Sequence, residues 1–226
     1  MRTLPVLERT IADCRLCPRL VTYREDVART KRRQFREWAY WGRPVPGFGD
    51  PAARLYVLGL APAAHGGNRT GRVFTGDRSG DWLYEALHRF GFANQPTSVD
   101  RADGLVLKDC YIGASVRCAP PGNKPLPEEF DACRPYLQGE LVLLMGMRVV
   151  VVLGKIAFDQ YFKACQALGH MRPKPAPVFG HGNRYPLPWG VTLICSYHPS
   201  QQNTFTGTLT RAMFHRVFEL ARSHVG

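Results

Sequence analysis

LYVLGLAPAAHGGNRTGRVFTGD, Leu55–Asp77, is the stretch that decides how this chain folds. It opens on an apolar run, Leu55–Leu60, and then breaks into glycines, small residues and polar side chains. A continuous apolar run of strand length suits a strand buried on both faces, as in a parallel sheet covered by helices. Three further runs of the same kind follow, at Cys110–Val116, Val149–Leu153 and Val191–Tyr197. Helical stretches lie between them. Trp82, Leu83, Leu87 and Phe90 share a helix face that Ser79 is placed to cap and Gly91 to end. Pro127 suits a first helical turn, with Glu128 and Glu129 at the positive end of the dipole. That helix aligns Phe130, Cys133, Leu137, Leu141 and Leu144. Lys155–Leu168 follows the third strand, and Thr208–Arg222 closes the pattern with Leu209, Met213, Val217 and Leu220. The alternation predicts an α/β fold, three layers α/β/α around a central, mainly parallel four-stranded sheet, in a single domain over residues 1–226.

The flanking segments read less regularly. Residues 1–20 suggest a short helix carrying CRLC near its end, and Thr22–Arg36 a charged helix that faces either solvent or phosphate. Trp38–Asp50 reads as a Pro/Gly loop with aromatics, and the proline-rich Met171–Gly190 as a surface loop.

The 226 residues are 45% hydrophobic and 21% charged, enough for a full core and too apolar for disorder. The net charge of +12 favours a polyanionic partner through electrostatic attraction and counterion release. The longest apolar runs are strand-sized, which argues against a membrane span, and the N-terminus lacks the apolar core of a signal peptide. A soluble, cytoplasmic protein is expected. Seven cysteines, an odd count, argue against a disulfide framework in a reducing compartment. Cys110, Cys165 and Cys195 sit in apolar segments and read as small core residues. Cys14 and Cys17 form CxxC, and fourteen residues separate Cys118 from Cys133. A close pair plus two separated thiols is a common way to hold a four-thiolate metal centre, and the spacing admits zinc as well as iron–sulfur.

In open α/β sheets ligands bind beyond the carboxyl ends of the strands, so the loops there carry the chemistry. The loop Gly59–Asp77 is neither a Walker A sequence nor GxGxxG. A long loop after a strand in a compact domain is usually functional. Within it Phe74 can stack on a flat ring, and Asp77 either caps the next helix or orients a water. SYHPSQQNTFTG, Ser196–Gly207, sets His198 at the end of the last strand, and the following polar groups suit phosphate or groove contacts. VRCAPPGNKPLP, Val116–Pro127, places Asn123 and Lys124 in a proline-braced turn after Cys118.

Taken together, these segments resemble the uracil-DNA glycosylase superfamily over nearly the whole chain. GLAPAAHGGNRTGRVFTGD resembles its first motif, HPSxxN its second, and the four cysteines its iron–sulfur subset, families four and five, with type B (family five) the nearer match. Family four carries an acid in its first motif, as GEAPG; this chain reads GLAPA, with Leu60 and Ala61. Family four also has an Asn four residues before the third cluster cysteine, where this chain has Ala114. The resemblance implies a monofunctional DNA glycosylase that hydrolyses the N-glycosidic bond of uracil and other deaminated bases, hypoxanthine and xanthine among them. It implies a 4Fe-4S cluster on Cys14, Cys17, Cys118 and Cys133. It moves the water-handling role to Asp77, with His198 as the carbonyl-side partner and Asn123 as a pocket or catalytic-loop contact. Gly59, Ala61, Ala63, Phe74 and Ala114 are then substrate-binding. The implied partner is duplex DNA containing deaminated bases, met by a nucleoid-associated monomer, and a sliding clamp stays open as a protein partner. A family-four-like enzyme strict for uracil and a non-catalytic iron–sulfur DNA-binding protein are the rival readings.

Overall fold

The four apolar runs form the four parallel strands at the middle of the molecule. The computed structural model describes residues 3–226. The strands are β1 (Phe48–Gly49), β2 (Leu55–Gly59), β3 (Cys110–Ala114), β4 (Val149–Leu153), β5 (Arg184–Pro186) and β6 (Thr192–Ser196). The helices are α1 (Leu4–Ala12), α2 (Pro18–Thr30), α3 (Gly67–Thr70), α4 (Arg78–Arg89), α5 (Pro127–Leu143), α6 (Lys155–Ala167), α7 (Gln201–Phe205) and α8 (Arg211–Val225). The sheet order is β1-β3-β2-β4-β6-β5. β3, β2, β4 and β6 pair in parallel, with Val57 opposite both Ile112 and Val151.

The sheet has six strands, where the sequence suggests four. The additions are short antiparallel edges, β1 on β3 and β5 on β6. Both fall in segments that read as loops, since so few residues pair that no apolar run marks them. Their edge positions also allow Pro186 to end β5.

Burial on both faces explains the absence of alternation. Tyr56, Leu58, Val150 and Val152 point into one core with α1, α5 and α6, whereas Leu55, Val57, Val149, Val151 and Leu153 point into another with α4 and α8. Cys110, Cys165 and Cys195 are buried, as their apolar surroundings suggest.

Element boundaries differ from expectation at three helix starts. Asp77, not Ser79, caps α4: its Oδ1 accepts from the Gly80 N–H at 3.0 Å. CRLC lies between α1 and α2 rather than inside one helix, with Cys17 at the N-cap of α2. The first two residues of the helix expected at the N-terminus lie outside the described residues. α8 starts at Arg211, capped by the Thr210 hydroxyl, and runs on to Val225. Pro127 does open α5, and the Glu129 carboxylate turns back to accept from the Leu126 N–H at 2.7 Å.

One buried ion pair went unread in the sequence. Arg117 donates to Glu140 through both terminal nitrogens, at 2.8 and 2.6 Å, and the Tyr56 hydroxyl donates to the same carboxylate at 2.6 Å. The two charged side chains are essentially excluded from water. The pair ties the end of β3 to α5 immediately behind Cys118, in the bidentate geometry that best offsets desolvation.

Candidate active site

The strand order reverses at β2, whose neighbours are the next strand on one side and β4 on the other. A crevice opens at the carboxyl ends of such strands. Here it is a cleft of about 920 Å³. Every parallel strand contributes to its wall: Leu60–Gly66 after β2, Ala114 from β3, Ile156 from the start of α6, and His198 after β6. Ala61, Ala63, Phe74, Asp77, Ala114, Asn123 and His198 all line it. Gly59 lies behind the wall, buried beneath Phe74. A Cβ there would stand 2.6 Å from the ring, so only glycine lets the ring seat.

The backbone of Phe74 is held in the left-handed region, at φ +52°. For a bulky residue that conformation is strained and persists only where the surroundings impose it. Arg72 supplies part of that restraint, donating to Thr75 Oγ1 at 3.0 Å, Ser98 Oγ at 2.7 Å and Asp103 Oδ2 at 2.6 Å. The guanidinium and two backbone amides hold the Asp103 carboxyl at about 2, so it is charged whenever the protein is folded near neutrality. The Tyr84 hydroxyl donates to the Val73 carbonyl at 2.8 Å, and Gly80 leaves room for the Phe74 carbonyl against α4. Phe74 therefore presents its ring to the cleft 6.0 Å from the imidazole of His198.

Asp77 takes the capping role open to it in the sequence and also lines the cleft. One oxygen caps α4, and the other sits where a side chain on Gly66 would have to be. Burial raises its proton affinity; the Gly80 and Ser79 amides and the Arg69 charge pull it back, while Asp81 adds to the rise. A carboxylate kept from full solvation yet still hydrogen-bonded is suited to hold a water and take its proton.

Burial moves His198 the other way, down to about 4, so its imidazole is neutral at physiological pH. Its backbone is pinned by Asn203, whose side-chain N–H donates to the His198 carbonyl at 2.8 Å. Ala61, Ala63 and Ala64 line the cleft, and their N–H groups donate to no acceptor among the described residues. Asn123 stands exposed at the mouth in the left-handed region, φ +58°, which asparagine tolerates better than most residues.

Several wall residues were not singled out in the sequence. Tyr23, Arg32 and Phe35 reach the cleft from α2 and the turn after it, and His65 accepts or donates at Nδ1 to the Tyr40 hydroxyl at 3.0 Å. The signals were the charge of Thr22–Arg36, read as facing solvent or phosphate, and the glycine-rich loop around His65.

The four expected ligand cysteines gather away from the cleft. Cys14 and Cys17 pack against the core that contains Cys118 and Cys133. Arg24, 1% exposed, donates to Cys118 Sγ at 3.2 Å, while its Nε has no partner among the described residues. Burial pushes the Cys118 thiol up to about 12 and the Cys133 thiol up to about 11. No group of three or more His, Cys, Asp or Glu side chains that could hold a metal ion forms among the described residues.

A doubly wound sheet with a strained aromatic, a buried carboxylate and a neutral histidine around one cleft defines a base-excising α/β enzyme. A family profile agrees: the Uracil DNA glycosylase superfamily matches residues 46–222. The chain belongs to that superfamily. It is 53% identical over 221 residues to the type-5 uracil-DNA glycosylase of Mycobacterium bovis, covering 97% of this chain and 81% of the relative. It is 53% identical over 218 residues to the type-5 enzyme of Thermus thermophilus, covering 96% of each. The type-5 enzyme of Mycobacterium leprae is 51% identical over 225 residues, 99% of this chain and 96% of the relative.

Proposed function

We propose that this protein hydrolyses the N-glycosidic bond of uracil in duplex DNA, and of other deaminated bases such as hypoxanthine and xanthine, and leaves an abasic site. The observation that carries this reading is the convergence of Phe74, Asp77, Ala114 and His198 on one cleft at the carboxyl edge of the sheet.

The deaminated nucleotide leaves the stack, at an unstacking cost of a few kcal/mol that is smaller for a mispair. Its base enters the cleft and stacks on Phe74. As the glycosidic bond lengthens, negative charge builds on the base and positive charge on the sugar. The free N–H groups of Ala61, Ala63 and Ala64 and the neutral imidazole of His198 donate to the base anion. Asp77 holds the attacking water, accepts its proton and offsets the charge on the sugar. No lysine lines the cleft among the described residues, which favours hydrolysis over strand-cleaving amine chemistry. Ala114 puts a methyl group where an amide would read one base edge, so bases with different edges are admitted. Arg32 and Arg78 at the rim form no ion pair among the described residues and suit the flanking phosphates.

Cys14, Cys17, Cys118 and Cys133 would hold a 4Fe-4S cluster. The Arg24 guanidinium, paired with Glu25 at 3.6 Å, also donates to Cys118 Sγ, and a metal-bound thiolate would accept that hydrogen bond more strongly than a thiol. Four thiolates are the donor set of such a cluster, and zinc accepts the same set. Bound there, the group would join the N-terminal segment to α5, and none of the four cysteines lines the cleft.

The test is excision from an end-labelled duplex with one U opposite G, read after alkali treatment, then repeated with hypoxanthine. Alkali-dependent breaks with both bases support the reading. Breaks with uracil alone restrict the enzyme to uracil. No breaks from folded, iron-loaded protein leave a DNA-binding protein without turnover.

A further inference from the structure

Arg69 is 3% exposed and pairs with no carboxylate within ion-pair distance among the described residues. Its Nε donates to the His65 carbonyl at 2.8 Å, and its Nη2 to the Gly76 carbonyl at 3.3 Å. Its Nη1 is buried without a partner among the described residues. The guanidinium carbon lies 4.1 Å from the ring centre of Phe35 and 4.0 Å from that of Trp38. A side chain on Gly76 would collide with the guanidinium. A buried cation with an unused donor is unfavourable unless the site exploits it.

The two carbonyls that Arg69 holds belong to residues next to those that touch or carry the Asp77 carboxylate. Gly76 is bonded directly to Asp77, and His65 directly precedes Gly66, the residue over which the Asp77 oxygen sits. We infer that Arg69 is the positioning residue for Asp77: it ties the middle of the first loop at His65 to its end at Gly76, with its buried positive charge stacked on Phe35 and Trp38. This rests on the reading of Asp77 as the group that handles water. The charged groups facing Asp77 are Arg69 from α3 and Asp81 from its own helix, together with the Ser79 and Gly80 amides. Those facing Arg69 are Asp77 and Asp100, with the Tyr40 hydroxyl. The turn after α2 thereby supports Asp77 through Arg69, and its Phe35 also lines the cleft.

The test is the pH dependence of single-turnover uracil excision for full-length wild type, Arg69→Gln, Arg69→Lys and Asp77→Asn, with duplex affinity measured alongside. Arg69→Gln is expected to slow excision by about tenfold or more through misplacement of Asp77. It is also expected to move the acid limb to higher pH, because the carboxyl loses its facing cation. Arg69→Lys, which keeps the charge but cannot reach both carbonyls, should be slow with its acid limb near that of wild type. Duplex affinity should hold in both. Wild-type rates and limbs in folded Arg69 variants, beside an inactive Asp77→Asn, overturn the inference alone. A fully active Asp77→Asn overturns the reading of Asp77 and the inference with it. Where Arg69→Gln does not fold, Trp38→Leu carries the same test by admitting water to the guanidinium. A slower rate with a raised acid limb supports the inference, and an unmoved profile overturns it.

Discussion

Acidification should destabilise this protein through His198, whose half-buried imidazole is held below its ordinary value. Burial lowers the imidazole to about 4 in the fold, against an ordinary 6.5 in the unfolded chain. The unfolded state therefore binds the proton first. Stability held above pH 6.5 drains away as the pH falls toward 4, about 3 kcal/mol in all at 1.36 kcal/mol per unit. Between pH 7 and pH 5 the loss is about 2 kcal/mol. Other groups titrate nearby: burial lowers His65 and His181 as well, while Asp77 and Glu8 are raised and act in the opposite direction. Comparing wild type with His198→Asn cancels them, because the variant keeps every other group. The assay is urea denaturation of both proteins at pH 7 and pH 5. Wild type should lose about 2 kcal/mol more than the variant over that interval. Equal losses would refute the placement of His198 as a half-buried, neutral imidazole, and with it the neutral donor assigned to the base anion.

Three further outcomes follow from other parts of the molecule. Asp77→Asn should slow single-turnover excision about 10²-fold or more while duplex affinity by fluorescence anisotropy holds, and its unfolding midpoint should move little because asparagine caps a helix as well as aspartate does. Gly59→Ala pushes a methyl group to within 2.6 Å of the Phe74 ring, and loss of base stacking should weaken binding of a uracil-containing duplex by about 1–3 kcal/mol, measured by titration with a non-hydrolysable substrate. Glu140→Gln leaves the Arg117 charge buried without its counter-charge and should reduce stability by about 3–5 kcal/mol in denaturant titration.

Much of the site was legible because a buried parallel strand announces where its ligand loop begins. Leu55–Leu60 led directly to Phe74 and Asp77, and Val191–Tyr197 to His198. The roles within those loops were less legible. Asp77 reads equally as a helix cap or a water-handling group, and in the fold it is both placed as a cap and set against the cleft. Arg69 and His65 drew no notice, since a polar residue in a glycine-rich loop carries no periodicity. Glu140 was not singled out in its helix, yet it is among the most deeply buried charges in the molecule.

By itself the sequence determined the local choices: four strands apolar on both sides, the helices between them, and the loops at the strands' carboxyl ends. Those depend on neighbours a few residues apart, where side-chain pattern and backbone sterics act directly. Tertiary structure alone decided the rest. The edge strands Phe48–Gly49 and Arg184–Pro186 exist because a partner strand presents unpaired backbone groups, not because of anything within two or three residues. The Arg117–Glu140 pair and the stack of Arg69 on Phe35 and Trp38 join residues far apart in the chain. Burial, which sets the proton affinity of Asp77 and His198, likewise belongs to the packed molecule, since desolvation depends on everything that surrounds a group and not on its place in the chain.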